Sequence, residues 1–187
     1  MPRKYPEIAF SEPVRAAQER YGSRALGQRL ESMALDDEQL SLQELAFVGE
    51  RDGFYLSSVG PDGWPYIQFR GGPKGFLKAL DTRTLGFADF RGNRQYISVG
   101  NLRAEERVAL FFMDYADRRR LKMFARAEVL DAAERPDLVE RLADPAYPAK
   151  VERAVLFHVV AFDWNCPQHI TPRFSEAELA ALGWRAP

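Results

Sequence analysis

The spacing of apolar positions changes near Gly53. Before it, apolar residues recur at helical spacing; after it, they alternate with a period of two. Residues 1–10 hold two prolines and mixed charge, and the pattern predicts an extended arm. Ser11-Glu12-Pro13-Val14 suits a helix start, with Ser11 as cap and proline tolerated in the first turn. This helix is expected to break near Gly22 and resume from Ser23 to about Met33. A third helical piece covers about Asp37 to Glu50, where Ser41 and Glu44 have capping-box spacing and mark a possible restart. Leu42, Leu45 and Ala46 give that piece one apolar face.

From Gly53 onward the chain reads as strands. Phe54 to Val59 and Trp64 to Arg70 flank Gly60-Pro61-Asp62-Gly63, whose residues preset a tight turn, so 54–70 is a hairpin. Phe76 to Leu80 is short and ambiguous, and Thr84 to Phe90 is a strand. Between Gly92 and Asn101 the residues permit a short helix, a turn or, through Ile97 and Val99, a strand. Val108 to Met113 is a continuous apolar run, read as a strand buried on both faces. Leu121 to Val129 alternates cleanly, with Lys122, Arg126 and Glu128 on the polar face. Glu134 to Ala143 is helical, Ala154 to Phe162 is a last long strand, and Ser175 with Glu178 caps a final helix. Antiparallel strands around an apolar layer, with helices outside, predict a mainly β protein built on a small closed or split barrel.

Composition narrows the function without naming it. A formal net charge of −1 gives no global field for nucleic acid, so any anion site must be a local arginine cluster. The single cysteine, Cys166, excludes an internal disulfide framework and a multi-cysteine zinc site. No apolar run approaches the roughly 20 residues needed to span a bilayer. The N-terminal residues lack the apolar core of a secretory signal, so the expected setting is the cytoplasm. His158 lies in an apolar strand and reads as a bonded structural histidine. Cys166 and His169 are three residues apart, and one such pair carries little weight for nucleophilic chemistry or for metal. No metal site and no catalytic residue is assigned.

The arginines are more informative. Arg94 follows Gly92-Asn93 at a possible helix start, where backbone N–H groups and a guanidinium suit a phosphate. Gln68 and Arg70 share one strand face, because side chains alternate. Arg118, Arg119 and Arg120 form a cationic turn that, on residues alone, reads as solvated. Trp64, Tyr66 and Tyr96 read as core or subunit-face aromatics.

Several segments, in this order, resemble the pyridoxamine 5′-phosphate oxidase-like family of FMN-binding split barrels. They are Pro65-Tyr66-Ile67-Gln68-Phe69-Arg70, the strand and turn from Phe87 to Arg94, the apolar strand 108–113, and the Arg119-Arg120-Leu121 to Glu128 strand. Arg70-Gly71-Gly72 and Asn165-Cys166-Pro167-Gln168-His169-Ile170 resemble a subgroup of it. The likeness covers roughly residues 47–170. It implies a six-stranded antiparallel split β-barrel of Greek-key type with flanking helices, one domain over 1–187. Residues 1–50 would be a helical N-terminal extension and 163–187 a tail with a helix. It implies a homodimer with FMN in clefts between subunits, an oxidoreductase with a small-molecule substrate, and NAD(P)H as a possible donor. Its phosphate ligands fall on Gln68 with Arg70, and on Asn93, Arg94 and Gln95. Two family cations are thereby glutamines, and Arg70 and Lys74 are the candidates to compensate. Its ring-edge position falls on Arg120, beside Arg119, and Trp164 with Gln168 would close over the partner's cleft. A flavin or haem carrier without turnover, or a deazaflavin reductase, would use the same barrel.

Overall fold

Strands and helices are assigned over residues 3–184, which the computed structural model of the chain describes. The helices are α1 (Lys4–Ala9), α2 (Glu12–Arg20), α3 (Arg24–Ser32), α4 (Leu42–Gly49), α5 (Ile97–Ala104), α6 (Pro136–Leu142) and α7 (Glu176–Ala181). The strands are β1 (Gly53–Val59), β2 (Pro65–Gly71), β3 (Lys78–Ala79), β4 (Thr84–Phe90), β5 (Arg107–Asp114), β6 (Arg119–Asp131) and β7 (Val151–Trp164). They form one antiparallel sheet in the order β2-β1-β5-β6-β7-β4-β3.

That order forces the sheet to curl. β2 and β3 lie at its two edges, yet only residues 72–77 join them. Seven Cα steps reach at most about 25 Å, while seven flat strands would place the edges roughly 29 Å apart. The connection is not even straight, because Phe76 N–H donates to the Pro73 carbonyl at 2.9 Å. Side chains agree: the Phe54 ring on β1 lies 5.8 Å from Phe87 on β4 and 5.9 Å from Phe157 on β7, neither of which neighbours β1 in the sheet. The sheet therefore rolls into a barrel filled by Phe54, Phe76, Phe87, Phe112 and Phe157. It stays split between β2 and β4, which share no backbone ladder. This is the expected split barrel with helices outside, not a closed one.

Local chemistry accounts for the elements. The β1–β2 turn closes through Gly60 N–H to the Trp64 carbonyl at 2.9 Å, with Gly63 at φ 82°. Ser41 and Glu44 form the full capping box of α4, and Ser175 and Glu178 that of α7. The helix expected from Asp37 begins only at Leu42. Asp37 is instead 1% exposed and accepts N–H groups of Lys4 and Tyr5 at 2.7 and 2.9 Å. That distant cap corrects the reading of residues 1–10 as an extended arm, because it supplies the N-terminus of α1 from outside the segment. Tyr5 then stacks on Phe124 at 5.0 Å, and Arg3 pairs with Asp37 and Asp163. Ser11 precedes α2 as expected but makes no side-chain cap.

Two further readings change. The 108–113 run is buried on one face only: Val108, Leu110 and Phe112 point inward, while Ala109, Phe111 and Met113 are half-buried on the outside. The doubly buried strands are β4 and the first half of β7, where Gly86 and Ala88 of β4 lie under Leu138 and Leu142 of α6. Residues 97–104 resolve as helix, tied to β1 by Asn101 Nδ2 donating to Ser58 Oγ at 3.2 Å.

Candidate functional site

The split between β2 and β4 opens into a cleft of about 340 Å³. β2 contributes Tyr66, Gln68 and Arg70, because these alternate onto the face that Phe54 and Leu56 of β1 also present. β4 contributes Phe87 and Asp89, β7 contributes Glu152 and Arg153, and the segment from Arg91 through Val99 forms the rim. The first turn of α5 faces the cleft. Ahead of it Arg94 and Tyr96 adopt left-handed backbone, at φ 63° and 55°. Non-glycine residues take that region at a cost, so the turn is held by its surroundings. Part of the hold is Asn93 Oδ1, which accepts the Gln95 N–H at 3.2 Å.

The floor is a charged network. Asp89 is 6% exposed at its side chain and accepts from Arg153 Nη1 at 2.8 Å and from Arg70 Nη1 at 3.2 Å. Arg153 also donates to Glu152 at 2.8 Å and lies 5.1 Å over the Tyr96 ring. Glu152 in turn accepts from Arg91 Nε at 2.8 Å. Burial pushes the Asp89 carboxyl above its usual range, against the pull of both guanidiniums. The hydrogen bond from Arg91 holds Glu152 below its usual range. Arg70 Nε and Arg153 Nε are buried without an acceptor. Around the cleft stand four arginines (Arg70, Arg91, Arg94, Arg153) against two carboxylates (Asp89, Glu152), an excess of two positive charges. That donor set fits a phosphate monoester, which carries about −1.5 to −2 at neutral pH.

Of the residues picked out in the sequence, Gln68, Arg70, Asn93, Arg94 and Gln95 converge on this cleft. Gln68 accepts from Tyr66 Oη at 2.6 Å, which fixes its amide beside the split. Arg119, Arg120, Trp164 and Gln168 lie elsewhere in the chain. β7 carries Arg153 at one end and Trp164 at the other, eleven residues on, which is about 35 Å of strand. At that far end Arg119 sits 4.8 Å over the Trp164 ring and 5.0 Å over Phe47. Trp164 Nε1 donates to Glu44 at 2.7 Å, and Arg120 Nη2 donates to the Cys166 carbonyl at 2.8 Å. Gln168 is exposed in the tail. His158 meets Glu128 at 3.2 Å on the exposed face, not in the core. Among the described residues no group of three metal-ligating side chains comes together.

Asp89, Arg91, Glu152 and Arg153 were missed by the sequence reading. One signal was present: Asp89 interrupts an apolar strand, and a buried carboxylate requires a cation nearby. Nothing in the pattern identified Arg153 as that cation.

A second hollow of about 160 Å³ lies outside the barrel, over β1, β5 and β6, lined by Tyr55, Ile67, Phe111 and Phe124 among others. Beside it Ile67 is 64% and Phe69 54% exposed.

Among the described residues no helix is long and apolar enough to cross a membrane. No curated protein matches the chain. Among solved structures, HupZ of Group A Streptococcus aligns at TM-score 0.52 with 16% identity, covering 72% of this chain and 100% of that one. A Lactobacillus delbrueckii protein described as a candidate pyridoxamine 5′-phosphate oxidase aligns at TM-score 0.51 with 22% identity, covering 69% and 97%. At these identities the likeness is one of fold. The sequence itself goes further: the family model described as pyridoxamine 5′-phosphate oxidase matches residues 43–164, from α4 to the last residue of β7. That span holds the whole split barrel and both walls of its cleft, and the chain belongs to the pyridoxamine 5′-phosphate oxidase family.

Proposed function

We propose that the protein is an FMN-dependent oxidoreductase that binds the flavin phosphate at the rim of this cleft. The observation that carries the reading is the convergence of Arg70, Arg91, Arg94 and Arg153, with Asn93, Gln95 and Gln68, at the barrel's split. Arg94 with the Asn93–Gln95 turn, joined by Arg70 from β2, would hold the phosphate, and Gln68 with Tyr66 would line the ribityl chain. The flavin, when bound, supplies the redox chemistry. The chain's own share is binding, orientation and a positive surrounding. No described carboxyl in the cleft is free of an arginine partner, which accords with a site that leaves electron transfer to its cofactor.

The reading includes a homodimer. The exposed Ile67 and Phe69 and the apolar hollow beside them give a face that a second copy would cover. Dimerisation would also give Arg119, Arg120, Trp164 and Gln168 a cleft to meet, since they do not line the one in their own chain. A cytoplasmic setting accords with the free, exposed Cys166. The substrate is a small molecule, and NAD(P)H would need only to stack transiently on the ring.

Titration of the purified protein with FMN, followed by flavin fluorescence and the visible spectrum, tests the reading. Saturable binding of FMN with much weaker binding of riboflavin is expected. Equal binding of the two would remove the phosphate site. A carrier without turnover is the second reading, favoured by the lack of an unpaired acid or base in the cleft. It predicts NAD(P)H oxidation no faster than with free FMN.

A further inference from the structure

Asp89 occupies a place where a phosphate-binding cleft has little use for a negative charge. Its two arginine partners are not equivalent. Arg153 approaches to 2.8 Å, is 10% exposed, and is held as well by Glu152 and the Tyr96 ring. Arg70 makes one longer contact, 3.2 Å, and is 22% exposed. Arg70 also belongs to an edge strand hydrogen-bonded only to β1, whereas Asp89 and Arg153 sit on the paired strands β4 and β7. The Arg70–Asp89 pair therefore spans the split between two strands that share no ladder. Arg70 is, besides, the only cation on β2, where the neighbouring Gln68 carries none.

We propose that Asp89 is a resident counter-ion for Arg70, a latch across the split that an incoming phosphate-bearing ligand must open by taking Arg70 for itself. The proposal rests on the flavin reading above and adds what the ligand phosphate must displace in order to bind. Arg153 stays with Asp89 when Arg70 leaves, because a carboxylate this buried must keep a guanidinium. The cost of desolvating Asp89, visible in its raised pKa, agrees with that requirement. The buried Nε groups of Arg70 and Arg153, both without acceptors, mark a network that is not fully satisfied as it stands. A ligand lacking the phosphate does not engage Arg70, so it binds with the latch shut and is indifferent to Asp89. Asp89 thus competes with the ligand phosphate for Arg70: it weakens phosphate-bearing ligands and leaves a phosphate-free ligand unaffected.

The test compares FMN, riboflavin and inorganic phosphate on the full chain. Asp89→Asn keeps the side chain's shape and removes its charge. It is expected to tighten FMN about tenfold, the size of one partly buried charge contact, and to leave riboflavin within about twofold. In an Arg70→Met background the same substitution is expected to change FMN affinity by less than about twofold. Weaker or unchanged FMN binding in Asp89→Asn, an equal gain for riboflavin, or a gain that survives Arg70→Met would each overturn the latch. Should Asp89→Asn fail to fold, the native chain decides by NMR. Inorganic phosphate or FMN should move the Arg70 Nε–H resonance and leave that of Arg153 in place, and the reverse overturns the proposal. Failure of the wider reading looks different: native protein that binds neither FMN nor phosphate removes the flavin site and the latch together.

Discussion

Phe54 is the residue through which the curl of the sheet can be tested. It is 1% exposed on β1, and its ring lies 5.5 to 5.9 Å from four others: Phe76, Phe87, Phe112 and Phe157. Only Phe112 belongs to a strand beside β1; Phe87 and Phe157 are reached across the barrel. Phe54→Ala removes a ring from the centre of this cluster. Phe→Ala changes in such sites cost about 3–5 kcal/mol, and the upper half of that range applies where four rings lose a neighbour. With a urea slope of about 2 kcal/mol/M, the midpoint should fall by about 2 M. A double-mutant cycle with Phe157→Ala should return a coupling of about 0.5–1.5 kcal/mol, because the rings meet edge to face at 90°. The assay is urea unfolding followed by tryptophan fluorescence and circular dichroism, at one protein concentration so that any association is held constant. A cost below about 1 kcal/mol, or full additivity with Phe157→Ala, would mean that β1 and β7 do not face each other across a barrel.

Other expectations follow from single residues. Arg94→Ala should weaken FMN by about tenfold to a hundredfold without affecting riboflavin, and Arg94→Gly should melt no lower than the parent, since φ 63° suits glycine. Asp37→Ala should lower stability by about 3 kcal/mol in thermal or urea unfolding, because it strips Arg3 of a buried partner and uncaps α1. Glu44 is buried, which would raise its pKa, yet hydrogen bonds from Ser41 and Trp164 hold it below the usual range. Its contribution is therefore present above the unfolded pKa and lost as pH falls through the lower folded value. Glu44→Gln should flatten that acid limb of stability, and an unchanged limb would show that Glu44 does not titrate there. Phe69→Asp should shift the protein toward monomer in sedimentation velocity, and a dimer that persists at micromolar concentration would move the subunit face elsewhere.

The strands were legible because their pattern is local. Alternation placed β1, β2 and β6, an apolar run marked β7, and the Gly60–Gly63 turn joined the first hairpin. Where the outcome depended on a distant residue, the sequence was silent or misleading. Nothing near residues 4–9 announces a helix, because the cap is Asp37. The run at 108–113 looks more apolar than it is buried, since its outer face is left to a hollow and not to a helix. The cleft was legible in half. Arg70 and the Asn93–Gln95 turn stand out by type and spacing, whereas Asp89 and Arg153 acquire meaning only when β4 and β7 lie side by side.

Finally, α6 lies over the outside of β4 and β7 and builds a small apolar cluster of its own, with Leu138 and Leu142 against Ala88, Ala154 and Leu156. None of these five side chains belongs to the phenylalanine-filled interior. The molecule thus has two zippers on opposite sides of the same pair of strands, and the shorter should part first. Amide hydrogens in residues 136–142 would then exchange in a subglobal opening that leaves the ligand-facing wall intact, so heat or mild denaturant should erode this shoulder before any loss of cofactor.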